Sequence, residues 1–376
     1  MRRPAHVMLN ALYLAPGVSG GPETYLRGLA PALALAFPDV RLTVATTRSG
    51  AHALRADGWE DFTRVLELPC EDGERARRQW AEQALLPRAA RAERADIVHS
   101  LASIAPVYPG TGAVVTLHDV TFLVRRTFST VTTWGMGLLI RSAARRADAL
   151  IAGTAAARDE ICSVLGVDPG RFTVIHHGHE HTQRAAPTAP REIRERFSLG
   201  DRRVVLCVAA KRPHKNQATL IRALALIPRD TVLVLAGHAE PYDLELRDLA
   251  AELGLQDRVR FVGYVPDEVL EGLWSVAGCA AFSTLGEGFG IPVIEALAHG
   301  LPVAASDIPV LREVGGDLPH YFDPLDPGDA ARAISEALAD TSARELGPGR
   351  AGEFTWDRAA RATHEVYEQV LLREAR

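Results

Sequence analysis

The sequence predicts an α/β protein made of two doubly wound parallel sheets in succession, closed by a C-terminal helix. Three observations carry this reading. The chain has 376 residues, a length that two domains of ordinary size account for. Short runs rich in Val, Ile and Leu alternate with amphipathic stretches, the pattern of parallel strands joined by crossover helices. Near the middle, His181–Pro190 (HTQRAAPTAP) has no periodicity and few large apolar residues, and reads as a linker.

In the first half, strands are expected at His6–Leu14, Arg41–Thr47, Ala95–Leu101, Ala113–Asp119, Ala149–Thr154 and Phe172–Gly178. Helical patterns fall at Glu23–Phe37, Gly73–Arg94, Thr132–Arg146 and Thr154–Leu165. The second half alternates more regularly. Its strands are expected at Val204–Ala210, Thr231–Gly237, Val259–Val265, Cys279–Thr284, Pro302–Ser306 and His320–Asp323. Its helices are expected at Asn216–Ile227, Tyr242–Leu253, Asp267–Val276, Ile291–His299, Val310–Val314 and Asp329–Ala339. The tail, Trp356–Arg376, carries Trp356, Ala360, Thr363, Tyr367 and Val370/Leu371 along one stripe. The expected domains are therefore 1–180 and 191–355, with 356–376 as a terminal helix. Ligands of open α/β sheets bind outside the carboxyl ends of the strands, so a cleft between the domains is the expected site.

Composition narrows the class. With 47% hydrophobic and 24% charged residues the chain can build a core, and disorder is not expected. A net charge of -5 speaks against a nucleic-acid partner. The start, MRRPAHVMLNALYLAP, resembles a signal peptide superficially, but His6 and Asn10 interrupt its apolar run, which reads better as a first buried strand. No apolar run approaches the ~18–20 residues needed to span a bilayer, so a cytoplasmic protein is expected. Cys70, Cys162, Cys207 and Cys279 lack metal-ligand or CxxC spacing and are expected as reduced, buried thiols.

The most informative stretch is Phe282–Gly300, FSTLGEGFGIPVIEALAHG. A strand gives way to a glycine-punctuated loop, and a helix starts near Ile291 with Pro292 in its first turn, where a missing N–H is harmless. Gly286, Gly288 and Gly290 allow a ligand close to the backbone, and the helix end favours an anion. Glu287 in the loop and Glu295 about one turn into the helix offer two carboxylates to sugar or ribose hydroxyls, Glu295 with added support from the helix dipole.

A second loop, VAAKRPHKNQ, follows the first strand of the second half and carries Lys211, Arg212, His214 and Lys215 before a helix start, a set of cations suited to a diphosphate. A third, YLAPGVSGGPETYL, has Gly17, Gly20 and Gly21 between strand and helix, but matches neither G-x-G-x-x-G nor a Walker loop. His118-Asp119 ends a strand of the first half. His176, His177, His179 and His181 lie on an extended segment without a partner cluster, so no metal site is expected.

Together these motifs resemble the retaining GT-B glycosyltransferases of family 4. The resemblance is most specific over Ser283–Pro309, where Glu287 and Glu295 form an E-x7-E pattern inside EGFGIPVIEA, followed by HGLPVAASDIP; HKN at 214–216, GGPETYL and TLHD are weaker parts. It implies two Rossmann-like domains facing a cleft, the tail helix crossing back to the first. It implies that Lys215 and Arg212 meet the donor diphosphate, Glu287 the sugar hydroxyls and Glu295 the ribose. His118 would lie beside the transferred sugar. Gly20 and Gly21 would flank the donor phosphate, and the backbone of Gly288, Phe289, Gly290 and Ile291 would complete the cradle. Many members carry Gly-Arg where this chain has Ala209-Ala210, so either Lys211 or Arg212 could be the second phosphate cation.

The implied activity is metal-independent, cofactor-free transfer of a hexose from a nucleotide-diphosphate sugar to a hydroxyl of a glycan, lipid-linked or natural-product acceptor, with retention. The alternatives are an epimerase or hydrolase on the same scaffold, a Rossmann oxidoreductase lacking its fingerprint, or a non-catalytic sugar binder. Arg125, Arg126, Phe128, Trp134, Met136, Leu138–Ile140 and Arg141/Arg145/Arg146 mix basic and apolar residues. They read either as an ordinary helix of the first domain, the plainer case, or as a peripheral contact with the inner membrane face.

Overall fold

The computed structural model describes residues 4–71, 73–120, 123, 130–179 and 186–374. The chain divides into two compact units, Met1–Gly178 with Thr355–Arg376, and His179–Phe354. Each is built around a parallel sheet.

In the first unit the strands are β1 (His6–Ala11), β2 (Arg41–Thr46), β3 (Arg64–Glu67), β4 (Ile97–Ser100), β5 (Gly112–Leu117), β6 (Ala149–Ala152) and β7 (Phe172–Val174). Their order is β3-β2-β1-β4-β5-β6-β7, all parallel. Helices cover both faces, which is why the strands read as apolar runs without a polar side. Val7, Leu9 and Ala11 enter one core with Leu29 and Trp356, while Met8 and Leu12 enter another with Leu86 and Ala90. The edge strand β3 and the helix Arg48–Ala56 have no counterpart in the sequence pattern. Only two of the four residues of β3 are apolar, too few to show a period.

The second unit holds β8 (Arg203–Val208), β9 (Thr231–Ala236), β10 (Val259–Gly263), β11 (Cys279–Phe282), β12 (Val303–Ser306) and β13 (His320–Phe322) in the order β10-β9-β8-β11-β12-β13. Val204 and Leu206 face one core and Val205 and Cys207 the other. Two helices here escape the sequence pattern. Pro190–Arg196 starts inside the expected linker, with Pro190 at a first helical position that suits it. Ala343–Ala351 contains Gly347, Pro348 and Gly349, and close packing sustains it against its propensity: a Cβ at Gly347 would lie 2.6 Å from the Leu297 carbonyl oxygen.

The tail helix Trp356–Glu374 belongs to the first unit and so crosses back to the first half of the chain. Its stripe of Trp356, Ala360, Thr363, Tyr367 and Val370 is buried, and Phe37 stacks on His364 with ring centroids 3.8 Å apart. All four cysteines are free and buried, and burial pushes the Cys207 and Cys279 thiols up to about 12. Neither is a nucleophile at neutral pH.

The stretch expected as one helix over Gly73–Arg94 is instead Arg75–Trp80, a wider π turn over Ala81–Leu85, and Leu86–Ala92. Pro87 has no N–H for the carbonyl one turn back, and the π turn absorbs the break. It also carries Glu82 into the interior, where Oε1 accepts a 2.6 Å bond from Asn10 Nδ2. Burial pushes the Glu82 carboxyl up to about 7. An unfolded carboxyl titrates near ~4.3, so between these values the folded chain holds the extra proton. Stability from this group is full at low pH and is lost as pH rises through 7. Glu82→Gln keeps an acceptor for Asn10 and cannot ionise. It is expected to be about 1–3 kcal/mol more stable than the parent at pH 8.5 and equal to it near pH 4.5 in urea melts. Equal stability at both pH values would contradict this.

Candidate active site

In the second unit, the sheet reverses its order between β8 and β11, which pair in parallel through Cys279↔Val205 and Ala280↔Leu206. Crossovers leave to opposite faces there, opening a crevice at the strand carboxyl ends. The loop after β8 carries Lys215 and the loop after β11 carries Glu287. Their side chains meet: Lys215 Nζ donates to Glu287 Oε1 at 2.5 Å, with both groups mostly buried. Sequence reasoning gives each residue its own part of a ligand and does not foresee that they pair.

Backbone stitching fixes the pair. Leu285 N–H donates to the His214 carbonyl at 2.7 Å. Ser283 Oγ lies 3.1 and 2.8 Å from the Lys215 and Asn216 carbonyl oxygens, and Thr284 Oγ1 reaches the His214 and Gly286 carbonyls. Lys215 closes a 3-10 turn, Pro213–Lys215, and Asn216 then takes a left-handed conformation at φ 54, which asparagine tolerates better than most residues. Its side chain donates to the Pro324 carbonyl at 2.8 Å.

The two cations upstream part company. Lys211 is fully buried, and its ammonium donates to the Leu235 and Gly237 carbonyls at the end of β9. Burial lowers its pKa. Arg212 stays at the surface, where Nε donates to Glu240 Oε1 at 2.6 Å. Of the two, only Arg212 keeps its charge at the surface.

Glu295 is the fifth residue of the helix Ile291–Ala298 and is buried. It therefore lies in the second turn, and the expected support from the helix dipole, which fades within the first turn, does not reach it. Gly290 caps this helix at φ 92, and a Cβ there would stand 2.6 Å from Leu311 Cδ2. Both the conformation and the space call for glycine. Phe289 and Ile291 turn their side chains into the core, Phe289 edge-on to Phe354 with centroids 5.7 Å apart. Neither side chain of this segment is therefore available to a ligand. Of its helical amides, Pro292 has none and Val293 N–H is taken by the Gly290 carbonyl.

In the first unit, Gly20 at φ 61 caps the helix Gly21–Ala36, and a Cβ at Gly20 or Gly21 would meet nothing within 4 Å. The loop is tied from within by Glu23, whose Oε2 accepts the Gly17 N–H at 2.9 Å and whose Oε1 accepts from Arg27 Nε at 2.9 Å. The Gly17 amide is thus spent on the fold rather than kept for phosphate. An acid three residues into the helix is the sequence signal for this tie.

His118 follows β5 directly. Its Nε2 stands 2.7 Å from the Leu101 carbonyl oxygen and its Nδ1 3.3 Å from His177 Nε2. Burial lowers the pKa of both rings. Tyr25 lies against the two imidazoles, and Tyr25, His99, Thr116 and Tyr367 form a buried polar chain beneath them. Sequence reasoning reaches Tyr25 and Thr116 only as letters within GGPETYL and TLHD. Of the histidines considered for metal, His177 packs on Tyr25 and Trp356, and His181 lies outside the described residues. Among the described residues no three His, Cys, Asp or Glu side chains gather as metal ligands, and no helix is long and apolar enough to cross a membrane. Arg125, Arg126, Phe128 and the Trp134 side chain lie outside the described residues.

Two family profiles match adjoining stretches, Glycosyltransferase Family 4 over residues 19–183 and Glycosyl transferases group 1 over residues 190–347. The chain belongs to the family 4 glycosyltransferases. Among relatives of this family 4 protein, the O-antigen chain mannosyltransferase B of Escherichia coli is 31% identical over 193 residues, 48% of this chain and 51% of that one. The D-inositol 3-phosphate glycosyltransferase 2 of Catenulispora acidiphila is 34% identical over 246 residues, 60% of this chain and 57% of that one. The family 4 chain thus spans little more than half the length of either relative.

Solved structures match over almost the full length. HepE of Anabaena, in complex with UDP and glucose, superposes with a TM-score of 0.77 at 22% identity, covering 97% of this chain and 100% of that one. Sucrose-phosphate synthase of Thermosynechococcus elongatus gives 0.78 at 21% identity, covering 98% and 99%. At such identities the likeness is one of fold, and the fold of this family 4 chain is GT-B.

Proposed function

We propose that the protein is a retaining hexosyltransferase that takes a sugar from a nucleotide-diphosphate donor to an acceptor hydroxyl without a metal ion. The observation that carries this reading is the Lys215–Glu287 pair, stitched into neighbouring strand ends where the second sheet reverses. Membership of family 4 and relatives named mannosyltransferase and inositol-phosphate glycosyltransferase support the same class of donor.

In this reading the donor diphosphate takes Lys215 from Glu287, and the carboxylate so released accepts from hydroxyls of the sugar. Arg212 supplies a second cation, and Glu295 holds the ribose. The backbone of Gly288–Ile291 and the glycines Gly20 and Gly21 approach the phosphates. His118 lies beside the transferred sugar. Charge developing on the leaving nucleoside diphosphate is met by Lys215 and Arg212, an electrostatic contribution that lowers the barrier without a nucleophilic carboxylate. The acceptor attacks on the face from which the leaving group departs.

A thermal-shift screen against UDP, GDP, ADP and dTDP and their sugars tests the donor class. One nucleotide series is expected to raise Tm in the wild type and to lose most of that shift in Lys215→Ala. If no nucleotide raises Tm in the intact protein, the reading is wrong. With the matching donor and an acceptor, EDTA is expected to leave the rate unchanged.

A further inference from the structure

We propose that His177 is a positioning residue for His118, holding that ring in one orientation by an N–H donated to Nδ1. A carbonyl oxygen only accepts, so at 2.7 Å from the Leu101 carbonyl His118 Nε2 carries the proton and donates. Nδ1 of a neutral ring is then an acceptor. His177 Nε2 stands 3.3 Å from it, so the proton between the two rings belongs to His177. The His118 ring is thus held from both ends, Nε2–H by the Leu101 carbonyl and Nδ1 by the His177 N–H.

The surroundings make His177 rigid enough for this. It is 3% exposed. Tyr25 lies against it at 4.6 Å on one side, and Trp356 stacks nearly parallel at 6.2 Å and 15°. A Cβ on the next residue, Gly178, would stand 2.4 Å from Trp356 N, so the indole closes over the segment only because that residue is glycine. Tyr25 also meets the His118 ring edge-on at 5.0 Å, and its hydroxyl lies 3.3 Å from Thr116 Oγ1. A phenylalanine would fill this nest as well as His177 but could not donate.

This inference rests on the reading of His118 as part of the transfer site, and the experiment separates the two. Full-length protein with 15N-labelled histidine is examined by long-range 1H–15N correlation, which reports the protonated nitrogen of each ring, and His118 is assigned by its loss in His118→Ala. The wild type is expected to show His118 as the Nε2–H form. His177→Phe is expected to keep the Nε2–H form, which the Leu101 carbonyl maintains, but to shift the Nδ1 resonance as its hydrogen bond is lost, and to lower kcat about tenfold, the scale of one lost hydrogen bond. His177→Gln, which donates from nearly the same place, is expected to restore both. If His177→Phe does not fold, His177→Asn, too short to reach Nδ1, replaces it. An unchanged His118 Nδ1 resonance and kcat in the Phe or Asn variant overturns the proposal. If the Nδ1 resonance shifts as expected but His118→Ala transfers sugar normally, the linkage stands, the placing of His118 at the transfer site fails, and His177 has no part in transfer.

Discussion

Lys215→Ala is expected to lower kcat/KM for transfer by about two to three orders of magnitude, with the circular dichroism spectrum unchanged. The variant removes the cation proposed to meet the diphosphate and leaves the Glu287 carboxylate there without its 2.5 Å partner. Its effect therefore includes a repulsion that the wild type never experiences. Glu287→Ala behaves differently. It frees Lys215, so a nucleoside diphosphate without sugar is expected to bind at least as tightly as to the wild type, while transfer falls by a comparable factor. The double variant is expected to lose less than the two single losses combined, because the residues act as a unit. Calorimetric titration with the nucleotide chosen by the thermal screen, beside steady-state rates, reads both. Strict additivity, or weaker nucleotide binding in Glu287→Ala, would show that the ion pair is incidental to donor binding.

The largest effect on stability is expected from Gly28→Ala. Gly28 lies inside the helix Gly21–Ala36, where alanine is intrinsically favoured by up to ~1 kcal/mol. Packing reverses that preference, since the added Cβ would stand 2.0 Å from Trp356 Cε2 and 2.3 Å from Cδ2. The indole is clamped between Gly28 and Gly178 and cannot move aside. A net loss of about 3 kcal/mol is expected, lowering Tm of the first unit by roughly 5–10 °C. Trp356→Ala is also destabilising, through the cavity it opens. Combined with Gly28→Ala it should cost less than the sum, because the clash is gone. A Gly28→Ala protein that melts with the wild type would refute the close packing of the tail helix.

How legible these features are in the sequence differs by kind. The strands that carry the site are apolar on both faces, so they show at once. The edge strand β3 and the helix Ala343–Ala351 do not, because packing rather than pattern makes them. Lys211 and Arg212 look equivalent as neighbouring cations. They separate only when the end of β9 supplies carbonyls to swallow one of them. Glu295 lies where the sequence places it, about one turn into the helix that starts at Ile291, and only its burial comes from the fold.

By itself the sequence determined the two parallel sheets, the loops at their strand ends and the chemistry those loops carry, because period, glycine placement and charge are local properties of the chain. Only the tertiary structure decided which charges meet. Lys215 and Glu287 are 72 positions apart, and they come together because β8 and β11, the strands that lead into their loops, lie side by side. His118 and His177, 59 positions apart, face each other although β6 lies between β5 and β7, the strands that lead into them. Pairing at such separations depends on strand order and on the rings that fill the space between, and neither leaves a local signature.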